Sequence, residues 1–176
     1  MPSLSYQEWS TNRATALDEI ENAHAAVGGT ARGRRYATRQ INQAYAVLLA
    51  SQFQGFYRDL HSESVDHLLS AISPSPALRP LLPAELTRGR QLDRGNAQPA
   101  SLAADFSRFG IRFWQDVDRH DPRNVTRRVH LGLLNGWRNA IAHQDFDPAQ
   151  LGGTTTLHLG RVRQWRNSLL TTGALV

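Results

Sequence analysis

The sequence predicts an all-α protein: a single domain over residues 1–176, folded as an antiparallel bundle of about five to six helices. Three observations carry this reading. Helical spacing dominates, with Ile41, Tyr45, Leu48, Gln52 and Phe56 at steps of three or four and Phe53, Phe56, Tyr57 and Leu60 nearby. Strand-like alternation is almost absent. The periodic stretches are separated by glycine pairs and proline runs, the residues that end helices. A chain of 176 residues is long enough to bury about two-thirds of its unfolded surface, so one hydrophobic core suffices.

The first helix is expected from about Ser5 to Val27, stopped by Gly28-Gly29, after which the chain turns around. A second, the longest apolar stripe, runs from near Arg35 to Ile72, with a break allowed around His61 to Ser64, where Ser64 can cap a new segment. Pro74, Pro76, Pro80 and Pro83 make residues 73–83 a loop, because each ring removes an N–H donor and clashes with the preceding turn. Short helices are expected over Ala84 to Leu92 and Ser101 to Asp118, divided by the polar stretch around Arg94 to Pro99. The next helix begins near Asn124, with Asn124 or Thr126 as its cap, and ends at Asp145-Phe146-Asp147-Pro148. A last helix follows Thr154 to Thr156. The helical core is placed at about residues 35–170, with the helix at 5–27 preceding it.

Composition narrows the function. There is no cysteine, which excludes disulfides, thiolate zinc sites and a cysteine nucleophile. No stretch of about 18 apolar residues is present and the N-terminus lacks a basic and apolar leader, so a cytoplasmic protein with no membrane partner is expected. All 20 basic residues are arginine and the net charge is +5. Planar guanidinium groups suit phosphate, although an all-arginine usage also follows from a GC-rich coding bias and a net charge of +5 is compatible with a protein that never touches nucleic acid. No glycine-rich strand-to-helix turn and no nucleophile elbow occurs, which points away from a cofactor enzyme, and no cofactor is expected.

The stretch Gly136-Trp137-Arg138-Asn139-Ala140-Ile141-Ala142-His143 carries the chemistry. Its Trp-Arg-Asn recurs at Trp165 to Asn167, the longest internal repeat, where Trp165 reads as a core anchor and Arg166 as a solvated charge. On a wheel of about 100° per residue, Val129, Leu133, Leu134, Trp137, Ala140 and Ile141 form a core-facing stripe. Arg138 lies past one edge of it and His143 past the other. Gly132, Asn135, Asn139 and Ala142 fill the arc between, with Leu131 beside Arg138, a small and amide-lined surface that suits an interface or groove. Arg138 and His143 stand five residues apart, about 140° around the helix and about 7.5 Å along it, so one helix does not easily aim both at one phosphate. A two-fold homodimer packing this arc against itself brings two arginines and two histidines around one cleft.

These residue types suit metal-free cleavage of RNA. An imidazole titrating near neutrality can take the proton of a ribose 2′-hydroxyl or protonate the leaving 5′-oxygen. Arginine can hold the phosphate and the charge that builds on it, and Asn139 can orient a phosphate oxygen or the imidazole. A histidine in a last helical turn also fits there simply by bonding free carbonyls.

Arg138-Asn139-Ala140-Ile141-Ala142-His143 resembles the signature of the HEPN superfamily: an arginine, a polar residue and, after four to six positions in all, a histidine, often written Arg-Asn-x-x-Ala-His. Ala46 to Leu60 looks like the second helix of these domains, and the final helix with Val162, Trp165 and Leu169 is similar to their closing helix. The resemblance implies an all-helical dimer. It also implies a metal-independent endoribonuclease, a toxin of a toxin-antitoxin or antiviral defence system held in check by an antitoxin protein, with Arg138 and His143 as the catalytic pair and Asn139 in support. Many members of the superfamily instead serve as silent RNA- or protein-binding modules. The chain departs from the family pattern in having Gln54 where glutamate is frequent and Gln144 where glycine often follows the histidine.

Two further histidine groups read as structural. His61 and His67, with Glu63 and Asp66, form a polar helix side, and Asp118, His120 and Asp121 decorate a loop. A helical DNA-binding regulator has less support, because no short helix-turn-helix with a basic recognition helix stands out.

Overall fold

A computed structural model describes residues 3–28 and 36–173, and among them every regular element is helical. The elements are α1 (Leu4–Glu8), a π-helical turn (Trp9–Arg13), α2 (Ala14–Gly28), α3 (Tyr36–Ile72), α4 (Leu81–Thr87), α5 (Pro99–Phe106), α6 (Phe113–His120), α7 (Asn124–His143) and α8 (Leu159–Gly173). No helix among the described residues is long and apolar enough to cross a membrane. The turnaround expected after Gly28 and the start expected at Arg35 lie outside the described residues.

The first expected helix is the run from α1 through α2. Ser3 Oγ accepts the Tyr6 N–H at 3.1 Å, and the Glu63 carboxylate accepts from Leu4 N, Ser5 N and Ser5 Oγ at 2.9, 3.0 and 2.6 Å. A carboxylate at a helix N-terminus satisfies orphan N–H groups and meets the positive end of the helix dipole. Further along, Arg13 bonds Gln52 and Asp59, and Glu21 bonds Tyr45. As the N-terminal run advances from Leu4 to Glu21, its partners on α3 recede from Glu63 to Tyr45, so the two helices are antiparallel. Gly55 permits the contact at Arg13: a Cβ there would lie 2.4 Å from the guanidinium.

Helix α3 is unbroken over 37 residues, about 55 Å. The break expected near His61 does not occur, because Ser64 Oγ turns inward to the Leu60 carbonyl at 2.7 Å instead of capping a new segment. Ser73, at φ 45°, ends the helix ahead of Pro74. Helix α4 starts at Leu81, earlier than expected, since Pro83 falls in its first turn where the missing N–H has no intrahelical partner. The helix expected over Ser101 to Asp118 is two, α5 and α6, because Gly110 between them adopts φ 79°.

The core has an aromatic half, where Trp9, Phe53, Phe56, Tyr57, Phe106 and Phe113 pack ring against ring, and a half where Leu134, Trp137, Val162 and Trp165 join α7 to α8. Trp9 and Leu17 are fully buried. The N-terminal helix is therefore inside the core that the sequence placed at residues 35–170. The second Trp-Arg-Asn also reads differently: Trp165 is the core anchor expected, but Arg166 is no solvated charge. It pairs with Asp18 at 2.7 Å and Glu21 at 3.1 Å and also meets Tyr45 Oη, which locks α8 across α2 and α3. Burial works against the charge on Glu21, but hydrogen bonds from Tyr45, Arg163 and Arg166 outweigh it and hold this carboxyl below its ordinary pKa.

Two polar groups assigned to the surface lie inside. His61 is fully buried, with its ring 4.7 Å from Phe109 and 5.4 Å from Phe106. Asp121 is buried beside Arg127, which it bonds at 2.9 Å, and it also accepts the Arg123 N–H at 3.0 Å at the start of α7. Asn124 and Thr126 do not cap that helix; Asn124 is buried and donates to the Val117 carbonyl at 2.9 Å.

Candidate functional site

Helix α7 buries Leu134, Trp137 and Ala140 as the wheel assigned, but other assignments differ. Val129 is 58% exposed although it was placed in the core, whereas Leu131 and Asn135 are buried. The polar stretch after α4 reaches this flank of α7 at Asn96 and Ala97, which meet Asn139 and Asn135.

That stretch behaves as a strap pinned from three helices. On α5, buried Asp105 accepts the N–H groups of Gln91 and Leu92, each at 2.9 Å. On α3, Gln54 Nε2 donates to the carbonyls of Leu92 and Gly95 at 2.7 and 2.6 Å. On α7, Asn135 donates to the Ala97 carbonyl at 3.0 Å, and Asn96 Nδ2 donates to Asn139 Oδ1 at 2.7 Å. The Gln54 departure thus has a local reason: an amide can donate to two carbonyl oxygens and a glutamate cannot. Asn135, expected to line an open groove, instead holds the strap from the interior.

Val125, Val129, Gly132, Gly136, Asn139 and His143 succeed one another at steps of four and three residues and so draw one stripe along α7, open at Val125, Val129 and Gly132 but closed at Gly136, where a Cβ would stand 3.4 Å from the Gln150 carbonyl oxygen. A Cβ at Gly132 would meet no heavy atom within 4 Å, and Ala142 beside the stripe is exposed. Two of the three residues assigned to the dimer or groove surface, Gly132 and Ala142, are therefore accessible.

Arg138, Asn139 and His143 sit at the C-terminal end of this helix. Arg138 Nη1 donates to Asn139 Oδ1 at 3.3 Å. Because a guanidinium only donates, this contact fixes the orientation of the Asn139 amide. Its Oδ1 is shared between Arg138 and Asn96, which leaves Nδ2 as its donor. Asn139 lines two clefts. One, of about 600 Å³, also holds Arg138, Arg94, Asn96, Gln98 and Ser101. The other, of about 200 Å³, also holds His143, Gly136, Asp145, Asp147 and Gln150. Arg138 and His143 thus occupy opposite flanks of Asn139, as their separation on the helix requires, and neither cleft contains both. The arginine flank is basic and the histidine flank is acidic.

The helix ends directly after His143. Gln144 adopts the left-handed conformation, φ 56° and ψ 33°, and its N–H and that of Asp145 both return to the Ala140 carbonyl, a left-handed helix ending. Gln144 Nε2 also donates to the Ile141 carbonyl at 2.7 Å. The ending that glycine commonly makes is therefore made here by glutamine, with His143 as the last helical residue and its side chain exposed.

Sequence reasoning missed Arg94, Asn96 and Gln98, which it treated as part of a divider between helices. The signal available was a run of polar residues too rich in amides for an ordinary linker, Asn96-Ala97-Gln98, directly after Arg94-Gly95. Among the described residues no three histidine or acidic side chains gather into a group able to hold a metal ion. Comparison with protein-family models, with curated proteins and with solved structures found no significant match.

Proposed function

We propose that the chain is a metal-independent endoribonuclease of the HEPN type that acts as a homodimer. The observation that carries this reading is the arrangement around Asn139, with Arg138 on one flank and His143 on the other at the open end of one helix. In the proposed reaction His143 accepts the proton of a ribose 2′-hydroxyl as that oxygen attacks the adjacent phosphorus. The bond from phosphorus to the 5′-oxygen breaks, and a second imidazole returns a proton to that oxygen. The products are a 2′,3′-cyclic phosphate and a free 5′-hydroxyl. Arg138 and the Asn139 amide N–H neutralise the non-bridging oxygens, whose charge grows in the transition state. Because the nucleophile is the 2′-hydroxyl, DNA is not a substrate.

The reaction needs a base and an acid, and one chain offers one histidine in the motif. A two-fold dimer through α7 supplies the other, and the exposure of Ala142 beside His143, with that of Val125 and Val129 further along the helix, supports such a partner. In this reading the protein is the toxin of a toxin-antitoxin or antiviral defence system, and an antitoxin protein covers the site. The acidic lining of the His143 cleft favours a second reading, a catalytically silent HEPN module that docks RNA or protein without cutting it, since Asp145 and Asp147 repel a phosphate.

Incubation of RNA with purified wild type, Arg138→Ala and His143→Ala in excess chelator separates the two readings. The nuclease reading expects cleavage by wild type alone. Intact RNA with wild type, or equal cutting by both variants, overturns it. Gel filtration of wild type and Val129→Asp tests the dimer, which is expected to elute as a dimer and as a monomer respectively.

A further inference from the structure

Most described arginines are neutralised within the chain by carboxylates, among them Arg13, Arg58, Arg90, Arg127 and Arg166. Arg94 and Arg138 have no such partner, and both line the same cleft. No acidic side chain joins them there. The remaining polar lining, Gln91, Asn96, Gln98 and Ser101, consists of amides and a hydroxyl. Two guanidinium groups lining one cleft, with no carboxylate among its lining residues, favour an anion there. The cavity, of about 600 Å³, is within the size range of nucleotide-scale ligand sites.

We infer that Arg94 and Arg138 form a clamp for the phosphodiester backbone of single-stranded RNA, with Arg94 holding a phosphate next to the one at Arg138. The inference rests on the proposed RNA substrate and gives that site a residue outside its motif. Arg94 is placed for this by the strap. Asp105 and Gln54 fix the backbone of residues 91, 92 and 95 on both sides of it, so the position is rigid although the side chain itself is exposed. A rigid backbone bearing a mobile guanidinium suits a phosphate, whose recognition tolerates any base sequence. The amides of Asn96 and Gln98 lie beside the clamp, where they can meet ribose hydroxyls.

Binding of a fluorescein-labelled 2′-O-methyl oligonucleotide, which lacks the nucleophile, measures the clamp without cleavage. Anisotropy titrations of the full chain over a range of salt concentrations compare wild type with Arg94→Ala, and with Arg79→Ala as an exposed arginine far along the chain. Arg94→Ala is expected to bind about tenfold more weakly and to lower the salt dependence by roughly one ion, while Arg79→Ala binds as wild type does. The clamp is overturned if wild type does not bind, if Arg94→Ala matches wild type, or if Arg79→Ala weakens binding equally. Displacement of the oligonucleotide by inorganic phosphate at equal concentration also overturns it, because the cleft is then a simple anion site. Intact binding with no cleavage of ordinary RNA leaves the clamp standing and removes the nuclease. Cleavage with unaltered binding by Arg94→Ala does the reverse.

Discussion

Asn96 donates to Asn139 Oδ1 across 2.7 Å, so the side chain at the centre of the candidate site is held in part by a residue 43 positions earlier, in the strap just after a 3-10 turn over Gln91–Asp93. Together with Arg138, which can only donate, Asn96 holds Asn139 Oδ1 in place. Asn96→Ala leaves Arg138 alone to hold that oxygen, and Asn96→Asp opposes it, because a carboxylate can accept only from Nδ2. With RNA as substrate, kcat is expected to fall about 10- to 100-fold in Asn96→Ala and further in Asn96→Asp. A part-buried neutral hydrogen bond contributes about 1 kcal/mol, so the melting temperature of Asn96→Ala should drop by only about 2–4 °C. Unchanged kcat in both variants removes the positioning role.

Gln54 holds the strap by donating to the carbonyls of both Leu92 and Gly95. Replacing it with glutamate sets a carboxylate against two carbonyl oxygens and removes both hydrogen bonds, whereas alanine only removes them. Gln54→Glu is expected to destabilise the fold by about 1–3 kcal/mol, and more than Gln54→Ala does. Urea denaturation reads the order directly. If glutamate is tolerated as well as glutamine, the strap is not held by these bonds.

The helical class and the span of the first and third long helices were legible because burial imposes a period on the sequence. The Arg138, Asn139 and His143 grouping was legible because all three lie on one helix, whose geometry is known in advance. The errors share a cause. Asn135 was assigned to an open groove because its partner, the Ala97 carbonyl, lies 38 residues earlier, and the wheel of a single helix does not register it. His61, Asp121 and Arg166 read as surface groups because their partners, Arg90, Arg127 and Glu21, come from other segments or turns of the chain. Gly110 divided a helix because a periodic pattern continues across a residue whose backbone does not.

Burial and the Arg90 charge lower the pKa of His61 below its ordinary 6.5, and burial followed by the Arg161 charge does the same to His130. Arg90 Nη1 faces His61 Nδ1 at 3.4 Å and the Asp105 carbonyl faces Nε2 at 3.3 Å, which suits a neutral ring carrying its proton on Nε2. The unfolded chain then binds more protons than the folded one as pH drops below 6.5. The stability these rings confer is complete above that pH and is lost as pH falls through their lower folded values. The denaturation midpoint in urea is expected to fall between pH 7 and pH 5, ahead of any carboxylate titration, and His61→Gln should flatten that dependence. A midpoint independent of pH across this window would show that neither ring is kept neutral.

Gln144 takes a left-handed conformation that disfavours any residue with a Cβ, at a cost of about 1–2 kcal/mol. Its side-chain bond to the Ile141 carbonyl recovers part of this, but it lies at an exposed helix end where water competes. Glycine removes the strain and keeps both backbone bonds to Ala140, which close the helix after His143. Gln144→Gly is therefore expected to stabilise the protein by about 0.5–1 kcal/mol, with His143 still in the last turn and RNA cleavage near the wild-type rate. Gln144→Pro cannot adopt a positive φ and should unravel that turn and abolish cleavage. If glycine lowers both stability and cleavage, the glutamine side chain contributes more to holding the end of α7 than its backbone conformation costs.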